Sequence, residues 1–178
     1  KDGKCYDTSM GFSPLAGVTM GTRSGDVDPS VLQYIMKKEG ITDFNEMIDI
    51  LNHKSGLLGI SGVSSDMRDI RESKDKRAKL ADAVFVNRVV RYVGSYIAEM
   101  GGADAVVFTA GIGEHDDEVR EEVMKALSFM GVDFDEAANK AGDEGFITKE
   151  DSKLAALVIP TDEELMIERD VVRLAKLK

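Results

Sequence analysis

Cysteine is nearly absent from the sequence, and this limits its chemistry. Cys5 is the single cysteine among the 178 residues, so no disulfide can form within the chain. The two histidines, His53 and His115, have no metal-ligand spacing with that cysteine. Because chains without disulfides fit a reducing compartment, we expect a cytoplasmic location.

Positive charge is also scarce. The sequence has 23 basic and 33 acidic residues, for a formal net charge of −10. Since nucleic-acid-binding domains are usually basic, we expect no nucleic-acid partner. An acidic chain that binds a polyanion must concentrate its few cations locally or recruit a metal ion.

Long apolar runs are missing as well. No run approaches the roughly 20 residues that a membrane-spanning helix needs, so we expect no membrane association. The chain opens with Lys1-Asp2-Gly3-Lys4 and no apolar segment follows, which argues against a secretory signal. Because the chain starts without Met, we expect it to be part of a longer protein.

Helix signals dominate what is present, after a Gly-, Ser- and Thr-rich stretch to about Asp26 that predicts short strands and loops. A capping residue followed by apolar residues at helical spacing marks the first two starts, and apolar spacing alone marks the third. The predicted helices run from Asp28 to Gly40, from Thr42 or Asp43 past Leu51, and from Lys76 to Met100, with a loop or irregular turn over Gly56–Gly62. The second half of the long helix is apolar around most of its circumference, which favours burial or an interface.

Two short apolar segments, the β-branched Ala105–Thr109 and the segment Leu154–Ile159, predict buried strands. A glycine turn and a helix from Asp116 or Asp117 to Phe129 follow the first strand; Phe134–Ala141 predicts a short helix, and a closing helix follows the second strand. Strands that alternate with helices favour an α/β domain.

The glycine turn is Ala110-Gly111-Ile112-Gly113, which lies where backbone N–H groups can meet a phosphate. A third glycine is missing and no Gly-Lys-Ser/Thr follows, so neither the dinucleotide fingerprint nor the P-loop is present. The glycines can equally serve backbone geometry alone. Since acidic residues from Glu114 onward would repel a terminal phosphate, we expect the turn to contact the nucleoside and inner phosphate.

Three other positions combine charge with a loop or a helix start. Arg23 lies between Gly21 and Gly25, where a guanidinium could hold a phosphoryl group or could simply be a solvated surface charge. Asp66-Met67-Arg68 is typical of an N-cap followed by a surface arginine. Asp162-Glu163-Glu164 either complements the helix dipole or provides a ligand for a hard cation such as Mg²⁺.

The order of these motifs resembles the acetate kinase family. Asp7–Leu15 and Met20–Asp26 closely resemble the family signature, and Phe108–Glu114 and Ile159–Leu165 look like its later motifs in the same order. The resemblance covers essentially the whole chain. It implies the acetate and sugar kinase, heat-shock and actin superfamily, whose two ribonuclease-H-like domains close on ATP.

This resemblance implies a fold and a domain boundary. Residues 1–178 should form the C-terminal nucleotide-binding half of a two-domain kinase, with the N-terminal domain absent. The expected fold class is α/β, a ribonuclease-H-like (actin-like ATPase) domain with a helical insertion at about 28–75.

The resemblance also implies residue roles. Arg23 resembles the arginine that stabilises the transferring phosphoryl group, and Glu163 looks like the magnesium-associated carboxylate, with Glu164 the weaker alternative. Asp66, Met67 and Arg68 match a segment that lines the adenosine pocket. A second nucleotide segment is matched by Gly111, Ile112, Gly113, Glu114 and His115, where the family commonly has Asn at the position of His115.

The implied reaction is reversible transfer of the ATP γ-phosphoryl group to acetate, giving acetyl phosphate and ADP, with Mg²⁺ or Mn²⁺. The implied partners are the missing N-terminal domain and a second copy, which the apolar helix around Val84–Ile97 could contact. The segment alone should fold without turning over. Alternatives are a propionate or butyrate kinase relative, a non-catalytic nucleotide-binding or dimerisation module, and a nicotinamide dehydrogenase, which the incomplete glycine fingerprint disfavours.

Overall fold

Helices make up most of the structure, a computed structural model that describes residues 1–176. The chain divides into two units, Lys1–Ala103 and Asp104–Lys178, and a three-stranded sheet lies in the second. The fold is therefore mixed α/β. The expected domain organisation, one nucleotide-binding domain with a helical insertion at about 28–75, stays a prediction. No helix within residues 1–176 combines the length and hydrophobicity needed to cross a bilayer.

Aspartate caps start most helices of the first unit. The side chains of Asp28, Asp43, Asp66 and Asp75 each accept a hydrogen bond from a backbone N–H two residues on. These helices are α1 (Pro29–Glu39), α2 (Phe44–His53), α3 (Gly56–Ser61), α4 (Met67–Glu72) and α5 (Lys76–Met100). The predicted helices are confirmed, and the segment from Gly56 is a short helix.

The core of the first unit forms where α3 and α4 pack against α5. Its fully buried apolar side chains come from four helices and are Met47, Leu57, Met67, Ile70, Ala78 and Ala81. On α5 the buried residues lie on one face, whereas Leu80 is 55% exposed. The sequence predicts that the second half of α5 is apolar around most of its circumference and is buried or lies in an interface. In this half Ile97 is buried, and Val89, Val90 and Val93 are half-buried.

The strands predicted before Asp26 are wrong, because this stretch forms turns and loops. Short polar side chains satisfy its backbone locally: Thr8 N–H donates to Asp7, Met10 N–H to Thr8, and Leu15 N–H to Ser13. Such side chains compete with strand pairing for the backbone N–H groups.

The second unit contains a mixed sheet in the order β1-β3-β2. Its strands are β1 (Ala105–Phe108), β2 (Gly145–Phe146) and β3 (Ala155–Val158). β1 pairs with β3 in parallel, with Ala105 opposite Ala155, and β2 pairs with β3 in antiparallel fashion. The helices of this unit are α6 (Ala110–His115), α7 (Asp117–Ala126), α8 (Glu136–Ala141) and α9 (Glu163–Leu174), with a 3₁₀ turn at Ser128–Met130.

Both predicted strands are confirmed, as β1 and β3, but the expectation that β1 is fully buried is wrong. Val107 is 48% exposed on the same face of β1 as the exposed Ala105, whereas Phe108 on the opposite face is 7% exposed. β3 is central, and its residues Ala156 and Val158 are buried as expected. β2 was not predicted, since two residues give no periodic signal.

Candidate functional site

The loop of residues 20–24, which we call the Arg23 loop, is held between two helices of the first unit. Backbone hydrogen bonds tie it to the end of α2 and the start of α3. They join Ser24 N to Leu51 O at 3.0 Å, Ser55 N to Thr22 O at 3.0 Å, and Leu57 N to Met20 O at 2.9 Å. The loop is therefore fixed along most of its length.

A glycine on α3 allows this close contact. Gly56 has a φ of +61°, and a Cβ at this position would lie 2.2 Å from Met20 O and 2.7 Å from Arg23 O. Those distances are far inside van der Waals contact, so any larger residue must displace the Arg23 loop.

The Arg23 side chain itself is half-buried. Its Nη1 donates to Met20 Sδ at 3.7 Å, a weak acceptor, and it makes no ion pair with any residue in 1–176. A guanidinium on a fixed backbone, without a carboxylate partner, can bind an anion such as a phosphoryl group.

The Asp66–Arg68 segment lies directly beside the Arg23 loop. A Cβ added at Gly21 would lie 2.9 Å from Ser65 O, so the two backbones are in contact at this point. The first unit thus brings together Arg23 and Asp66–Arg68, which are far apart in sequence.

Asp66 and Arg68 have the geometry of a cap with a surface arginine. Asp66 caps α4, and Arg68 binds its carboxylate through Nε at 3.0 Å and Nη2 at 2.6 Å. These hydrogen bonds lower the pKa of Asp66 to about 2. The Met67 side chain is 3% exposed and belongs to the core, so only its main chain is available to a ligand.

The predicted glycine turn is wrong, because residues 110–115 form the short helix α6. Thr161 fixes its start: its Oγ1 accepts a hydrogen bond from Ala110 N at 3.0 Å and lies 2.5 Å from Thr109 Oγ1. Ala110 has a φ of +58°, an unusual conformation for a residue other than glycine. This contact spans 51 residues of sequence, so the local glycine pattern could not reveal it.

Glu114 joins α6 to the segment before α9. Its Oε1 accepts a hydrogen bond from Thr161 N at 2.9 Å, and this bond is the main reason why the pKa of Glu114 is lowered. The carboxylate therefore has a protein partner. Gly111 has open space around it, Ile112 and Gly113 are half-buried, and His115 is exposed.

Glu163 is the first residue of α9 and is exposed. Asp162 caps the helix by accepting from Leu165 N at 2.9 Å, whereas the Glu163 side chain makes no hydrogen bond or ion pair within the described chain. No group of three or more His, Cys, Asp or Glu side chains suited to a metal ion occurs among residues 1–176. A cation at Glu163 would take its other ligands from water or a bound phosphate, as Mg²⁺ commonly does.

Comparison with known proteins decides the family. The model of the acetokinase family matches residues 1–169. The chain belongs to the acetokinase family. The family relative from Fructilactobacillus sanfranciscensis, an acetate kinase, is 58% identical over 178 residues, which cover 98% of this chain and 45% of that protein.

Solved structures place this acetokinase-family chain on part of larger molecules. The crystal structure of Porphyromonas gingivalis acetate kinase matches with a TM-score of 0.92 and 45% identity, covering 98% of this chain and 45% of that chain. A propionate kinase from Francisella tularensis subsp. tularensis SCHU S4 matches with a TM-score of 0.86 and 43% identity, covering 94% of this chain and 43% of that chain. The chain thus spans less than half the length of the relatives it matches.

Sequence reasoning missed one residue of this acetokinase-family chain, Arg120 on α7. It is 1% exposed, and its Nη1 donates to Gly113 O at 3.0 Å and to Glu114 O at 2.7 Å. Burial lowers the pKa of this guanidinium, although the carboxylates of Asp117 and Asp116 act in the opposite direction. The sequence contains one indication that Arg120 is buried, because this residue lies on the apolar stripe of α7, beside Val119 and Val123.

Proposed function

We propose that this chain is the nucleotide-binding, C-terminal part of a kinase that moves the ATP γ-phosphoryl group reversibly to acetate, giving acetyl phosphate and ADP. Relatives named acetate kinase, such as those from Fructilactobacillus sanfranciscensis at 58% identity and Bacillus subtilis at 57%, support this reaction. In this proposal the chain is a ribonuclease-H-like domain, with residues 28–75 as a helical insertion.

The observation that carries the proposal is the environment of Arg23. Its guanidinium is half-buried on a loop fixed by α2 and α3, and it has no carboxylate partner within residues 1–176. Structural arginines are usually paired when they are withdrawn from water. A fixed, unpaired guanidinium suits the stabilisation of a phosphoryl group in transfer.

The chemistry of an acyl acceptor agrees with this arrangement. A carboxylate is already ionised at neutral pH, so its oxygen needs no general base to attack the γ-phosphorus. The enzyme must instead bring two anions together and neutralise charge on the equatorial phosphoryl oxygens. Arg23 is the residue of this chain that we assign to that task, as its catalytic residue.

Nucleotide binding is assigned to the two segments that the sequence singles out. Asp66, Met67 and Arg68 form one, with the exposed guanidinium of Arg68 held by Asp66 and only the main chain of Met67 available. The second is Gly111–His115, where open space at Gly111 leaves room for a ligand. Glu114 in that segment would act through its hydrogen bond to Thr161.

Glu163 fits a magnesium ion. Its carboxylate is exposed and unpaired within the described residues, and it follows the carboxyl end of β3. When bound, Mg²⁺ or Mn²⁺ neutralises negative charge on the nucleotide phosphates. The chain has a net charge of −10, so such a cation offsets a repulsion that its few basic residues cannot.

A second candidate acceptor is propionate, with butyrate as a longer variant. The match to the Francisella tularensis propionate kinase, at a TM-score of 0.86, favours this alternative.

As a separate segment, the chain would be a non-catalytic nucleotide-binding module. We further propose that the full-length protein is cytoplasmic, that its N-terminal domain completes the active site, and that this chain contributes to a homodimer.

The direct test is formation of acyl phosphate by the full-length protein, trapped with hydroxylamine, with acetate, propionate and butyrate compared at equal concentration. We expect acetate to give the highest kcat/KM. Arg23→Ala should lower kcat by about 10³-fold or more, because an arginine on the transferring phosphoryl group contributes on this scale. Arg91→Ala, which removes an exposed guanidinium from α5, is the matched control and should keep the activity.

Two results would contradict the proposal. Absence of acyl phosphate with all three acids would remove the kinase assignment. Full activity of the Arg23→Ala enzyme would remove the catalytic role of Arg23 while leaving the reaction in place.

A further inference from the structure

The guanidinium of Arg120 is a buried cation with several neutral acceptors. Its Nε donates to Asn139 Oδ1 at 2.7 Å and its Nη2 to Asn139 O at 2.8 Å. Its Nη1 donates to the carbonyls of Gly113 and Glu114. Withdrawing a charged group from water is costly unless hydrogen bonds compensate it, so these contacts are what keeps Arg120 in place.

Asn139 fixes the other side of this arrangement. It is 0% exposed on α8, and its Nδ2 donates to Asp117 O at 2.8 Å. Its own N–H bonds to Asp135 O, as part of the start of α8. The guanidinium is therefore held in one orientation by α8 and by the first turn of α7.

The carbonyls that Arg120 binds belong to the end of α6. The last carbonyls of any helix lack partners within that helix, and a helix of six residues is not stable by itself. Arg120 supplies partners at the end of α6, and Thr161 supplies them at its start. Both ends of α6 are thus fixed by residues outside it.

We propose that Arg120 is a positioning residue for nucleotide binding, which, together with Asn139, sets the orientation of the Gly111–His115 backbone. This inference rests on the proposed role of α6 in contacting the nucleotide. It adds to that role a buried hydrogen-bond network that does not touch the ligand.

A purely structural role for Arg120 would predict a different result. Packing alone would be served by an apolar side chain, since Val119, Val123 and Met124 fill the same face of α7. The planar fork of Arg120 instead binds Asn139 through Nε and Nη2 and thereby directs Nη1 at the carbonyls of Gly113 and Glu114, which a flexible lysine ammonium would hold less rigidly. Loss of the fork should therefore affect nucleotide affinity more than it affects acetate.

The test uses the full-length protein with ADP as the probe. Arg120→Lys keeps the charge without the fork, and Asn139→Ala removes the Oδ1 that accepts from Nε while Arg120 and its other hydrogen-bond acceptors remain. Val123→Ala is the matched control, because Val123 is 0% exposed on the same helix and does not bond to α6. The readouts are the ADP dissociation constant by calorimetry, the KM values for ATP and acetate, kcat and the melting temperature.

We expect both Arg120→Lys and Asn139→Ala to weaken ADP binding and to raise the KM for ATP, by about ten- to a hundredfold. The KM for acetate should change less than threefold, roughly within the range of nonspecific effects. Val123→Ala should lower the melting temperature and leave the ADP dissociation constant unchanged.

An unchanged ADP dissociation constant in a folded Arg120→Lys or Asn139→Ala protein would overturn the inference. So would a Val123→Ala protein that loses ADP affinity to the same extent, because general destabilisation would then explain the loss. If Arg120→Lys does not fold, Asn139→Ala decides the matter. Failure of the unsubstituted protein to make acyl phosphate while it still binds ADP would contradict the proposed reaction and leave the role of Arg120 standing.

Discussion

Two carboxylates at helix starts, Asp66 and Glu163, differ in their partners. Asp66 accepts hydrogen bonds from the main chain and the guanidinium of Arg68. Glu163 has no such partner within residues 1–176, since Asp162 caps its helix. The Asp66 carboxylate therefore has protein partners at the start of α4, whereas the Glu163 carboxylate can bind a cation.

For Glu163 we expect a change in metal dependence. Glu163→Gln should raise the Mg²⁺ concentration for half-maximal activity by about tenfold, a typical loss when a metal site loses one supporting group. Glu164→Gln is the matched control, one residue further along α9, and should titrate like the unsubstituted enzyme. The measurement is acyl phosphate formation against Mg²⁺ concentration, and equal titration curves for both variants would contradict the assignment.

For Asp66 we expect a change in the pH dependence of stability. Its pKa falls from 3.8 to about 2 in the folded chain, so ionised Asp66 stabilises the fold above about pH 4. That contribution is lost as the pH falls through about 2. Asp66→Asn retains a capping oxygen without the charge.

The melting temperatures of the two proteins should therefore differ at about pH 6 and converge near pH 2. Because Asp66 and Arg68 are solvent-accessible, we expect the difference to be small and to shrink with added salt. A difference that is constant over this pH range would show that the charge of Asp66 is not what stabilises α4.

The residues that the sequence could predict are those with local partners. Asp28, Asp43 and Asp66 cap helices through N–H groups two residues away, so a short window contains the whole interaction. Arg120 and Thr161 could not be predicted in this way. Arg120 binds Asn139, 19 residues distant, and Thr161 binds Ala110, 51 residues distant, and only the fold brings these pairs together.

At the scale of elements, the Arg23 loop depends on the helices around it. Thr22 Oγ1 donates to Asn52 O at 2.8 Å, and the buried Thr19 donates to Ser24 O at 3.1 Å. Asp26, two residues beyond the loop, accepts from Tyr92 on α5 at 2.5 Å. These contacts fix the backbone on both sides of Arg23.

A substitution on α3 should therefore displace this loop. Gly56→Ala combines left-handed strain with a clash against Met20 O, and we expect a loss of at least about 2 kcal/mol in unfolding free energy. Gly40→Ala is the matched control: its φ is +72° but nothing lies within 4 Å, so strain alone should cost about 1 kcal/mol.

Urea unfolding measures the stability of both variants, and the acyl phosphate assay measures their activity. Gly56→Ala should also lower kcat, because the backbone of Arg23 must shift. Equal losses in the two variants, with normal activity in both, would show that the contact between Gly56 and the Arg23 loop can relax freely.

Elements differ in how far the sequence predicts them, and the reason is the range of their interactions. α1 and α5 carry an aspartate at one end and a left-handed glycine at the other, so their bounds follow from local rules. β1 leaves the face that carries Ala105 and Val107 exposed, and α6 is fixed at its start by Thr161, 51 residues distant. Neither feature is visible in a short window.

At the scale of the whole molecule, this chain is less than half as long as its relatives. It covers 45% of the acetate kinase from Fructilactobacillus sanfranciscensis. The chain carries a candidate catalytic arginine, two candidate nucleotide segments and a candidate metal ligand, and we propose that the remaining catalytic groups lie in the rest of the protein.

We therefore expect the segment of residues 1–178 to give no acyl phosphate in the hydroxylamine assay, while the full-length protein does. Circular dichroism of the segment is the control, since a helical spectrum would show that inactivity does not come from unfolding. Acyl phosphate made by the segment alone would mean that this chain holds a complete active site.

The contact between Glu114 and Thr161 restricts which residues related sequences can carry at these two positions. Thr161 uses its N–H for Glu114 and its hydroxyl for Ala110, so proline should be excluded at position 161, and serine should be its main replacement. Aspartate at position 114 would be too short by one methylene to reach the same N–H. In an alignment of diverging lineages, substitutions at 114 and 161 should accordingly occur together more often than their 47-residue separation suggests.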